Sequence, residues 1–407
     1  MGLIVQKYGG SSVADVQCMK NVARHILRTR DAGHSVVVVV SAMGDTTDDL
    51  IDLARKIHPE PDDRELDALM ATGEQISCAA LAMALHSLGA KAISMTGAQA
   101  GIYVDEVHRK AKIREIRPGR MLKYLRKGYI VIVAGFQGLN PREDIATLGR
   151  GGSDTTAVAL AAALKADRCQ ILKDVEGVYT ANPRIVPDAR KLDEISYDEM
   201  LELASLGAEV LQSRAVEFAK KYGVELEVLS SFTHAPGTVV REEVKKMEDI
   251  VVRGVAADKK QAKVTLLRVP DRPGVAAKLF EVVASSNINV DIIVQNVSAK
   301  GHTDMSFTVA EDDLPKARRV LDILARKIGA RGVDFDKDIA KVSVVGVGMR
   351  SHSGIAYRTF KALAERKINI EMISTSEIKI SVVIRKKDAD EAVRALHKAF
   401  GLGKKKK

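Results

Sequence analysis

Short β-branched runs alternate with helix-length stretches over the first 230 residues, and this alternation limits the folds open to the chain. It predicts an α/β layer fold with a largely parallel sheet. The ligands of such sheets bind at the carboxyl ends of the strands, so functional residues are expected just after each run. The predicted strands cover residues 3–6, 36–41, 92–96, 129–135, 170–174 and 226–230, and the helices between them include residues 16–32 and 74–88.

A charged stretch at residues 241–249, REEVKKMED, separates this block from a tail that repeats itself. Residues 273–275 and 288–290 recur further along the chain as residues 353–355 and 368–370. A regular internal repeat is one supersecondary unit used twice. Each copy is predicted to form a strand, a glycine turn, an amphipathic helix, two strands and a final helix, which is a ferredoxin-like module.

Each such module buries only one face of its sheet, so two copies pair edge to edge or across subunits. A homo-oligomer, by default a dimer, is therefore expected. The predicted segments are a catalytic domain over 1–240, a linker and first regulatory strand over 241–263, modules over 264–335 and 340–402, and a basic tail over 403–407.

Composition limits the class of partner. The net charge is +10, but the last four residues, 404–407, are all lysines. A nucleic-acid surface needs clustered Lys and Arg interleaved with stacking aromatics, whereas this chain has only 8 Phe, 8 Tyr and no Trp. No nucleic-acid partner is expected. The alternative, a basic tail that anchors nucleic acid, predicts salt-dependent binding that disappears when the tail is deleted.

Cysteine usage and hydropathy bear on the compartment. Cys18, Cys78 and Cys169 have no spacing typical of a disulfide framework or of a zinc site. The longest strongly apolar run, residues 36–40, is far shorter than the roughly 20 residues of a membrane span, and the N-terminus lacks a cleavable signal pattern. We therefore expect a cytoplasmic protein that has no membrane partner and no metal site of its own.

The first candidate site is the sequence KYGGSS, which begins at Lys7 and follows the first predicted strand. Gly9 and Gly10 allow the backbone to approach a ligand closely, and their amides suit an anion together with the Ser11 hydroxyl. Lys7 adds a mobile positive charge for phosphoryl oxygens. The alternative is an ordinary strand-to-helix turn in which Ser11 or Ser12 caps the helix. The chain has no G-x-x-x-x-G-K-[ST] pattern, so a nucleotide would be held by another arrangement.

The second candidate site is TLGRGGSDTT at residues 147–156, before an Ala-rich helix. Arg150 lies between glycines, and its planar guanidinium group is a natural partner for a substrate carboxylate. Ser153 and Asp154 stand where the amides of a helix N-terminus and a phosphate would meet. The alternative is that Ser153, Asp154 or Thr155 simply caps the helix, which explains one of these residues but leaves Arg150 unexplained.

Three further segments are weaker candidates. Ser41 begins the sequence SAMGDTTD, whose hydroxyl groups suit a small polar molecule. Glu74 is predicted at the start of a helix, where the helix dipole favours a carboxylate whether or not it has a function. Lys173 and Asp174 end a predicted strand, and the polar loop that follows them either binds adenosine and phosphates or is merely a surface loop.

In their order along the chain, these segments resemble the aspartate kinases of the amino-acid kinase superfamily. The matching sequences are KYGGSSV, SAMGDTTDDL, ATGEQIS, TLGRGGSDTTA and DVEGVYTANPRIV, followed by two ACT modules. The resemblance implies an amino-acid-kinase-type α/β/α sandwich followed by two ferredoxin-like ACT modules. It also implies ATP-dependent phosphorylation of the side-chain carboxylate of L-aspartate to 4-phospho-L-aspartate, the first step towards lysine, threonine and methionine.

The resemblance further implies a role for each candidate residue, with Lys7 and Asp154 in catalysis. ATP with magnesium would contact Lys7, Gly9, Gly10, Ser11, Ser41, Lys173, Asp174, Tyr179 and Arg184. L-aspartate would contact Thr47, Glu74, Arg150, Gly151 and Ser153. Within the second set, Arg150 would bind the α-carboxylate and Glu74 would lie near the ammonium group.

Two residues depart from the family pattern. Glu209 stands where members usually carry a lysine that contacts nucleotide, and Lys173 stands where threonine is common. Lys173 either replaces the missing positive charge or leaves nucleotide affinity weaker, and both interpretations stay open. Glu209→Lys is predicted to change KM for ATP more than KM for aspartate. The departures also motivate one alternative, a non-catalytic amino-acid sensor with a decayed kinase domain. A separate alternative is a kinase of the same fold that acts on another acidic substrate, such as glutamate or a nucleotide monophosphate.

ACT modules of this family bind lysine, threonine or both, so feedback inhibition by these amino acids is expected. The implied contacts are Asp271, Gly274, Asn289, Asp291 and Gln295 in the first module and Asn369, Ile370 and Ser374 in the second. For the two asparagines, a turn between helix and strand is an equally good explanation. Some relatives also make a small subunit from an internal start, and Met247 lies at the boundary where such a start would fall.

Overall fold

The computed structural model describes residues 2–149, 151–205, 210–233, 235–242, 251–296, 301–350, 352 and 354–404. These residues form two compact units. The first unit holds the described residues of 1–178, 191–205 and 209–246, and the second holds those of 179–190 and 247–407. Each unit has its own sheets and its own hydrophobic core.

The first unit alternates strands and helices along the chain. Its strands are β1 (Leu3–Tyr8), β2 (Ser35–Val40), β3 (Ala92–Met95), β4 (Ile102–Val104), β5 (Ile113–Ile116), β6 (Ile130–Ala134), β7 (Gln137–Leu139), β8 (Ile145–Thr147), β9 (Arg168–Lys173), β10 (Glu194–Ser196), β11 (Leu226–Ser230) and β12 (Thr238–Arg241). Its helices are α1 (Val16–Asp31), α2 (Thr46–Ile57), α3 (Asp63–His86), α4 (Gly119–Leu125), α5 (Gly152–Leu164), α6 (Tyr197–Ser205) and α7 (Ser213–Tyr222).

Eight strands of the first unit form one sheet in the order β10-β12-β11-β9-β1-β2-β6-β3. Neighbours from β11 through β9, β1, β2 and β6 to β3 are all parallel, whereas β11 and β12 are antiparallel. Helices α1 and α3 pack on the face that carries Val36, Val38 and Val40. Helix α5 packs against β1, β2 and β9 on the opposite face, because successive strand residues point to opposite sides. The predicted α/β/α sandwich is confirmed.

A smaller sheet with the strand order β5-β4-β7-β8 completes the first unit. Its last strand, β8, leads directly into the glycine turn that precedes α5. This sheet therefore positions one of the two predicted glycine-rich sites.

Helix α3 is the one helix among the described residues whose length and hydropathy would suit a membrane span. Half of that stretch is buried inside the protein, and α3 contacts α1, β3, β6 and β8. Two of its buried residues are the carboxylates Asp67 and Glu74. Its apolar character thus belongs to packing within the first unit.

The second unit consists of two β-α-β-β-α repeats, as the internal sequence repeat predicts. The first repeat is β13 (Gly254–Pro270), α8 (Val275–Ser285), β14 (Val290–Gln295), β15 (His302–Ala310) and α9 (Leu314–Ile328). The second repeat is β16 (Gly332–Val345), α10 (Ile355–Ala364), β17 (Met372–Thr375), β18 (Lys379–Arg385) and α11 (Ala389–Ala399). The two predicted ferredoxin-like ACT modules are confirmed.

The two repeats share one six-stranded sheet in the order β14-β15-β13-β16-β18-β17. Strands β13 and β16 run antiparallel down its middle. Apolar side chains of α8 and α9 pack on the β13 and β15 half of the sheet, and those of α10 and α11 pack on the β16 and β18 half. The helices therefore bury one face of the sheet, with a separate core for each module.

Residues 179–190 belong to the second unit, although the predicted catalytic domain of 1–240 includes them. Ala181, Val186 and Ala189 are buried in the core of the second module. The Thr180 carbonyl accepts a hydrogen bond from the Val255 amide at 2.8 Å, and the Thr180 hydroxyl lies 3.0 Å from Nε2 of His397. This segment leaves the kinase unit after Val178 because its own apolar side chains pack with the ACT strands.

Candidate active site

The carboxyl ends of β1, β2 and β9 lie side by side in the large sheet. In the strand register, Tyr8 is opposite both Val40 and Leu172. The residues just beyond this level are therefore neighbours: Gly9 on β1, Ser41 on β2 and Lys173 on β9. The Ser41 amide donates to the Tyr8 carbonyl at 3.1 Å, and the Gly9 amide donates to the Leu172 carbonyl at 3.3 Å. The parallel topology thus brings three predicted site residues together from distant parts of the chain.

Two lysines share the carboxylate of Asp154. Lys7 Nζ lies 2.7 Å from Asp154 Oδ1, and Lys173 Nζ lies 3.2 Å from Asp154 Oδ2. Asp154 is in the first turn of α5 and is buried, as is Lys7. The cluster gathers two ammonium groups at one carboxylate, an arrangement that favours the approach of an anionic ligand.

Burial and the neighbouring charges shift the pKa values of Lys7 and Asp154. Burial lowers the pKa of Lys7 below its usual value, and the Asp154 carboxylate limits the fall. Burial alone would raise the pKa of Asp154, but the ammonium groups of Lys173 and Lys7 outweigh it and lower that pKa to about 2. Asp154 is therefore ionised at neutral pH and holds both lysine side chains in place.

The turn after β1 has room for glycine only. A Cβ on Gly10 would lie 2.9 Å from the carbonyl oxygens of both Ala42 and Gly44. Ser11 is exposed, whereas the Ser12 hydroxyl donates to Ser231 Oγ at 2.8 Å. Neither serine caps α1, because Asp15 does so by accepting from the Cys18 amide at 2.7 Å. The alternative of a serine cap is therefore wrong.

The turn before α5 is built on glycines in the left-handed region. Gly149 has φ of 81° and Gly151 has φ of 72°. A Cβ on Gly151 would lie 1.8 Å from Cγ of Gln212. Gly151 is the N-cap residue of α5, and no side-chain hydrogen bond caps this helix. The alternative in which Ser153, Asp154 or Thr155 serves as the cap is therefore wrong.

Arg150 lies outside the described residues, as do Glu209 and Met247. Ser153 is buried in the first turn of α5, against Gly135 at the end of β6; a Cβ on Gly135 would lie 2.8 Å from that of Ser153. The close approach of these two residues leaves the Ser153 side chain next to the carboxyl ends of β1, β2 and β6.

Glu74 does not stand at a helix start, so that prediction is wrong. Helix α3 begins at Asp63, where the Asp62 carboxylate accepts from the Arg64 amide at 2.9 Å. Glu74 lies mid-helix and is only 3% exposed. Its Oε2 has no hydrogen-bond partner among the described residues. Burial raises its pKa to about 7, against the opposing effects of hydrogen bonding to the Ala42 backbone and of Lys7.

The surroundings of Glu74 include the 41–46 turn. A Cβ on Gly73 would lie 2.9 Å from the Ala42 Cβ and 3.6 Å from the Thr46 Cγ2. Thr47 is in the first turn of α2, immediately after that turn. A buried carboxylate with an unsatisfied oxygen therefore faces a polar turn, which suits an ammonium group of a small ligand.

Three further predicted nucleotide contacts follow β9 in the sequence. Asp174 is exposed just beyond β9. Tyr179 and Arg184 belong to the 179–190 segment of the second unit, where Tyr179 packs beside the core of the second ACT module. Their part in nucleotide binding stays a prediction.

The predicted effector contacts lie at equivalent places in the two repeats. Gly274 has φ of 89° and Gly354 has φ of 91°, and each is the N-cap residue of the helix that follows. Asn289 and Asn369 are exposed just before β14 and β17. The remaining predicted contacts are placed as follows: Asp271 is exposed after β13, Asp291 and Gln295 are exposed on β14, Ile370 is half-buried before β17, and Ser374 is half-buried on β17.

Asp291 has an ion-pair partner that no local sequence pattern predicts. The buried Lys341 of β16 forms an ion pair with Asp291. Lys263 of β13 forms the corresponding pair with Glu371, which occupies the position of Asp291 in the second repeat. Each module therefore contributes one lysine and one carboxylate to two reciprocal ion pairs.

Comparisons with known proteins agree with this geometry. The Amino acid kinase family matches residues 2–230, and the ACT domain matches residues 268–322 and 342–400. The chain is 54% identical to an aspartokinase of Mycolicibacterium smegmatis over 99% of this chain and 97% of that protein. It is 53% identical to an aspartate kinase of Pseudomonas putida over 99% of this chain and 98% of that protein.

Solved structures are similar over nearly the whole chain. Aspartokinase III of E. coli in complex with aspartate and ADP, in its R-state, has a TM-score of 0.85 and 26% identity, covering 98% of this chain and 99% of that one. The same enzyme in complex with lysine and aspartate, in its T-state, has a TM-score of 0.72. Aspartate kinase from Synechocystis is 49% identical with a TM-score of 0.55, covering 98% of this chain and 69% of that one.

Proposed function

We propose, from the premise that this chain belongs to the aspartokinase family of amino acid kinases, that Lys7, Asp154 and Lys173 form its phosphoryl-transfer site. The chain is an aspartate kinase, which joins the γ-phosphoryl group of ATP to the side-chain carboxylate of L-aspartate. The single observation that carries the site assignment is the buried Asp154 carboxylate between two ammonium groups.

The reaction needs little covalent help from the protein. The side-chain carboxylate of aspartate is already ionised at neutral pH, so no general base is required. One carboxylate oxygen forms a bond to the γ-phosphorus, the bond from that phosphorus to the bridging oxygen breaks, and ADP leaves. Lys7 and Lys173 neutralise the anions that meet, while Asp154 fixes the direction of both ammonium groups. Gly10 and Ser11 would cradle the phosphates with backbone amides, and Gly9, whose amide donates to the Leu172 carbonyl, would lie beside them.

The substrate amino acid would lie between α3 and the turn before α5. Glu74 suits the aspartate ammonium group because its Oε2 is buried and lacks a partner among the described residues. Thr47 and Ser153 would hold the polar edges of aspartate, with the Gly151 backbone beside them. Arg150 would bind the α-carboxylate, a role that follows from the family resemblance.

The nucleotide would extend along the carboxyl ends of the strands, past Ser41, Lys173 and Asp174, with Tyr179 and Arg184 as further contacts. Magnesium would arrive with ATP and neutralise phosphate charge. The described residues contain no group of three His, Cys, Asp or Glu side chains that would hold a resident metal ion, and both Asp154 oxygens face lysines.

Regulation would come from the ACT modules. The E. coli relative has been solved with lysine and aspartate in a T-state and with aspartate and ADP in an R-state. Lysine, threonine or both would bind this chain near Gly274, Asn289 and Asn369 and lower its activity by favouring one of two states. We further propose a homo-oligomer formed through the ACT modules, a small subunit starting at Met247, and a cytoplasmic role in lysine and threonine biosynthesis.

The test of the proposed function is ADP release by the purified chain with magnesium-ATP and L-aspartate, with L-glutamate as the control substrate. Release should depend on aspartate and should fall in Arg150→Ala through a higher KM for aspartate. Titration with lysine and threonine, singly and together, then tests feedback. Equal release with glutamate, or none with a folded protein that still binds amino acids, would contradict the proposal and favour a sensor.

A further inference from the structure

The glycine turn between β8 and α5 is held by side chains from two distant helices. It lacks a side-chain cap, and its internal support is a bond from the Gly152 amide to the Gly149 carbonyl at 2.9 Å. Two left-handed glycines make such a turn adaptable by themselves. Its conformation therefore depends on the groups that hold its ends.

Asp67 of α3 holds the start of the turn. This carboxylate is completely buried and accepts from the amide and the hydroxyl of Thr147, the last residue of β8. It also accepts from the Arg109 amide at 2.9 Å and lies 2.9 Å from Nδ1 of His108. The Arg109 carbonyl in turn lies 2.8 Å from the position of a Cβ on Gly149. Asp67 thus organises both the strand that enters the turn and the loop beneath it.

Arg214 of α7 holds the turn from the other side. Its Nη1 donates to the Leu148 carbonyl at 2.9 Å, and its Nη2 donates to the Ala111 carbonyl at 2.7 Å. Ala111 is itself joined to β8, because its amide donates to the Thr147 carbonyl at 2.9 Å. A planar guanidinium group is needed to reach two carbonyls at once. Gln212, two residues before Arg214, packs against Gly151.

We infer that Asp67 and Arg214 are positioning residues for aspartate: together they fix the turn from Thr147 to Ser153 on which the substrate is recognised. The inference rests on the proposed function of that turn. Asp67 also lies two helical turns before Glu74, on the same face of α3, so one rigid helix sets both the carboxylate for the ammonium group and the strand that leads into the turn. ATP would contact strands β1 and β9, whereas the hydrogen bonds of Asp67 and Arg214 described above go to β8, its turn and the loop of residues 108–111.

The inference predicts a selective kinetic defect. Asp67→Asn and Arg214→Lys should each raise KM for aspartate about 10-fold or more and leave KM for ATP within about twofold, since a displacement of about 1 Å at a substrate-positioning group costs up to 10²-fold. Arg214→Lys keeps the charge but cannot bridge two carbonyls. Glu65→Gln, which removes an exposed carboxylate from the same helix α3, is the matched control and should leave both constants unchanged.

Thr147 supplies a second test that does not disturb the buried charge. Thr147→Val removes the hydroxyl that donates to Asp67 at nearly constant volume, and Thr147→Ser restores it. KM for aspartate should rise in the valine variant and recover in the serine variant, while circular dichroism confirms that both are folded. A merely structural role would lower thermal stability in the valine variant without separating the two KM values.

Three results would overturn the inference. They are parallel changes in both KM values, a fall in kcat alone, and equal KM values for aspartate in the valine and serine variants. If Asp67→Asn does not fold, the Thr147 pair decides. Failure of the proposed function is distinguishable, because the unaltered chain would then show no aspartate-dependent release of ADP at all.

Discussion

Buried lysines occur in both units, but their charge is balanced differently. In the kinase unit, Lys7 and Lys173 share the single carboxylate of Asp154. In the six-stranded sheet of the second unit, here called the regulatory sheet, Lys341 pairs with Asp291. The pair of Lys263 with Glu371 belongs to a network of two cations and two carboxylates that also contains Arg385 and Asp336. Burial of a charge is common to both regions, so burial alone does not identify a functional site.

The two regions differ in how their cations and carboxylates are paired. The matched pairs of the sheet neutralise each other where the two modules meet, which suits a role in fixing their register. The kinase cluster instead gathers two ammonium groups at one carboxylate, between the glycine turn after β1 and the glycine turn before α5. Two cations held together in this way favour the approach of an anion. This arrangement of two ammonium groups and one carboxylate, which the six-stranded sheet does not repeat among its described residues, is what supports the proposal of a phosphoryl site.

The largest expected effect comes from removing a buried lysine from the kinase cluster, with removal of a buried lysine from the regulatory sheet as the control. Lys7→Met should lower kcat by about 10³-fold, the scale associated with losing a preorganised group that stabilises transition-state charge. Lys341→Met, which removes an equally buried lysine from the regulatory sheet, should leave the rate without effectors within about twofold. The measurement is the initial rate of ADP release at saturating ATP and aspartate. A decrease of less than 10-fold in Lys7→Met would remove the distinction between the two regions.

Glu74 extends the comparison to a buried carboxylate whose Oε2 lacks a hydrogen-bond partner among the described residues. Its pKa is raised to about 7, so the carboxylate becomes ionised, and able to attract the aspartate ammonium group, only as pH rises through about 7. We expect kcat/KM for aspartate to rise across that range. Glu74→Gln should lower kcat/KM about 10²-fold near pH 8 and abolish the rise, because a charge-assisted hydrogen bond is lost. An unchanged pH profile in Glu74→Gln would exclude Glu74 as its origin.

Ionisation of Glu74, which is expected to favour aspartate binding, is expected to lower the stability of the fold. Because burial favours the protonated form, Glu74 stabilises the fold fully below its ordinary pKa of 4.5, and this contribution is lost as pH rises through about 7. The free energy of unfolding should therefore fall more in the unaltered chain than in Glu74→Gln between about pH 5 and pH 8, by on the order of 2 kcal/mol. Denaturant unfolding at several pH values, without aspartate, measures this difference.

The sequence predicted six of the eight strands of the large sheet, all but β10 and β12. It also predicted that residues such as Lys7, Ser41 and Lys173 lie near one edge, because the ends of parallel strands meet there. It placed the start of α3 wrongly, since the Gly73-Glu74 dipeptide looked like a helix boundary although Asp62 supplies an earlier cap. Local sequence patterns led both to the correct prediction of the strand ends and to the wrong start of α3. They fail wherever a helix continues through a glycine that neighbouring structure requires to be small.

Contacts between residues distant in the sequence could not be predicted in this way. Asp67 and Thr147 are 80 residues apart, and Arg214 and Leu148 are 66 residues apart. No local signal singled out Asp67, because it follows the carboxylates of Asp63 and Glu65 in the same helix. The packing of residues 179–190 with the second ACT module, and the reciprocal ion pairs, likewise depend on tertiary contacts that no local pattern encodes.

Lys173 tests whether the second ammonium group at Asp154 contributes to nucleotide binding. Lys173→Thr should raise KM for ATP about 10-fold and leave KM for aspartate within about twofold, because it removes one ammonium group from the phosphate side of Asp154. Adding Glu209→Lys should restore part of the affinity if Lys173 replaces the positive charge that family members carry there. Equal changes in both KM values would show that Lys173 only supports Asp154.

The smallest expected effect concerns the matched pair, and its asymmetry is the informative part. The Lys341 side chain is 3% exposed, whereas that of Asp291 is 36% exposed. Asp291→Asn therefore leaves an ammonium group buried without its charge partner, while Lys341→Met leaves a carboxylate that water reaches. Asp291→Asn should cost about 1 kcal/mol more than Lys341→Met in the unfolding of the regulatory unit, and neither should change KM for ATP. Equal costs would mean that the pair contributes no more than an exposed one, and the contrast with the kinase cluster would then rest on Asp154 alone.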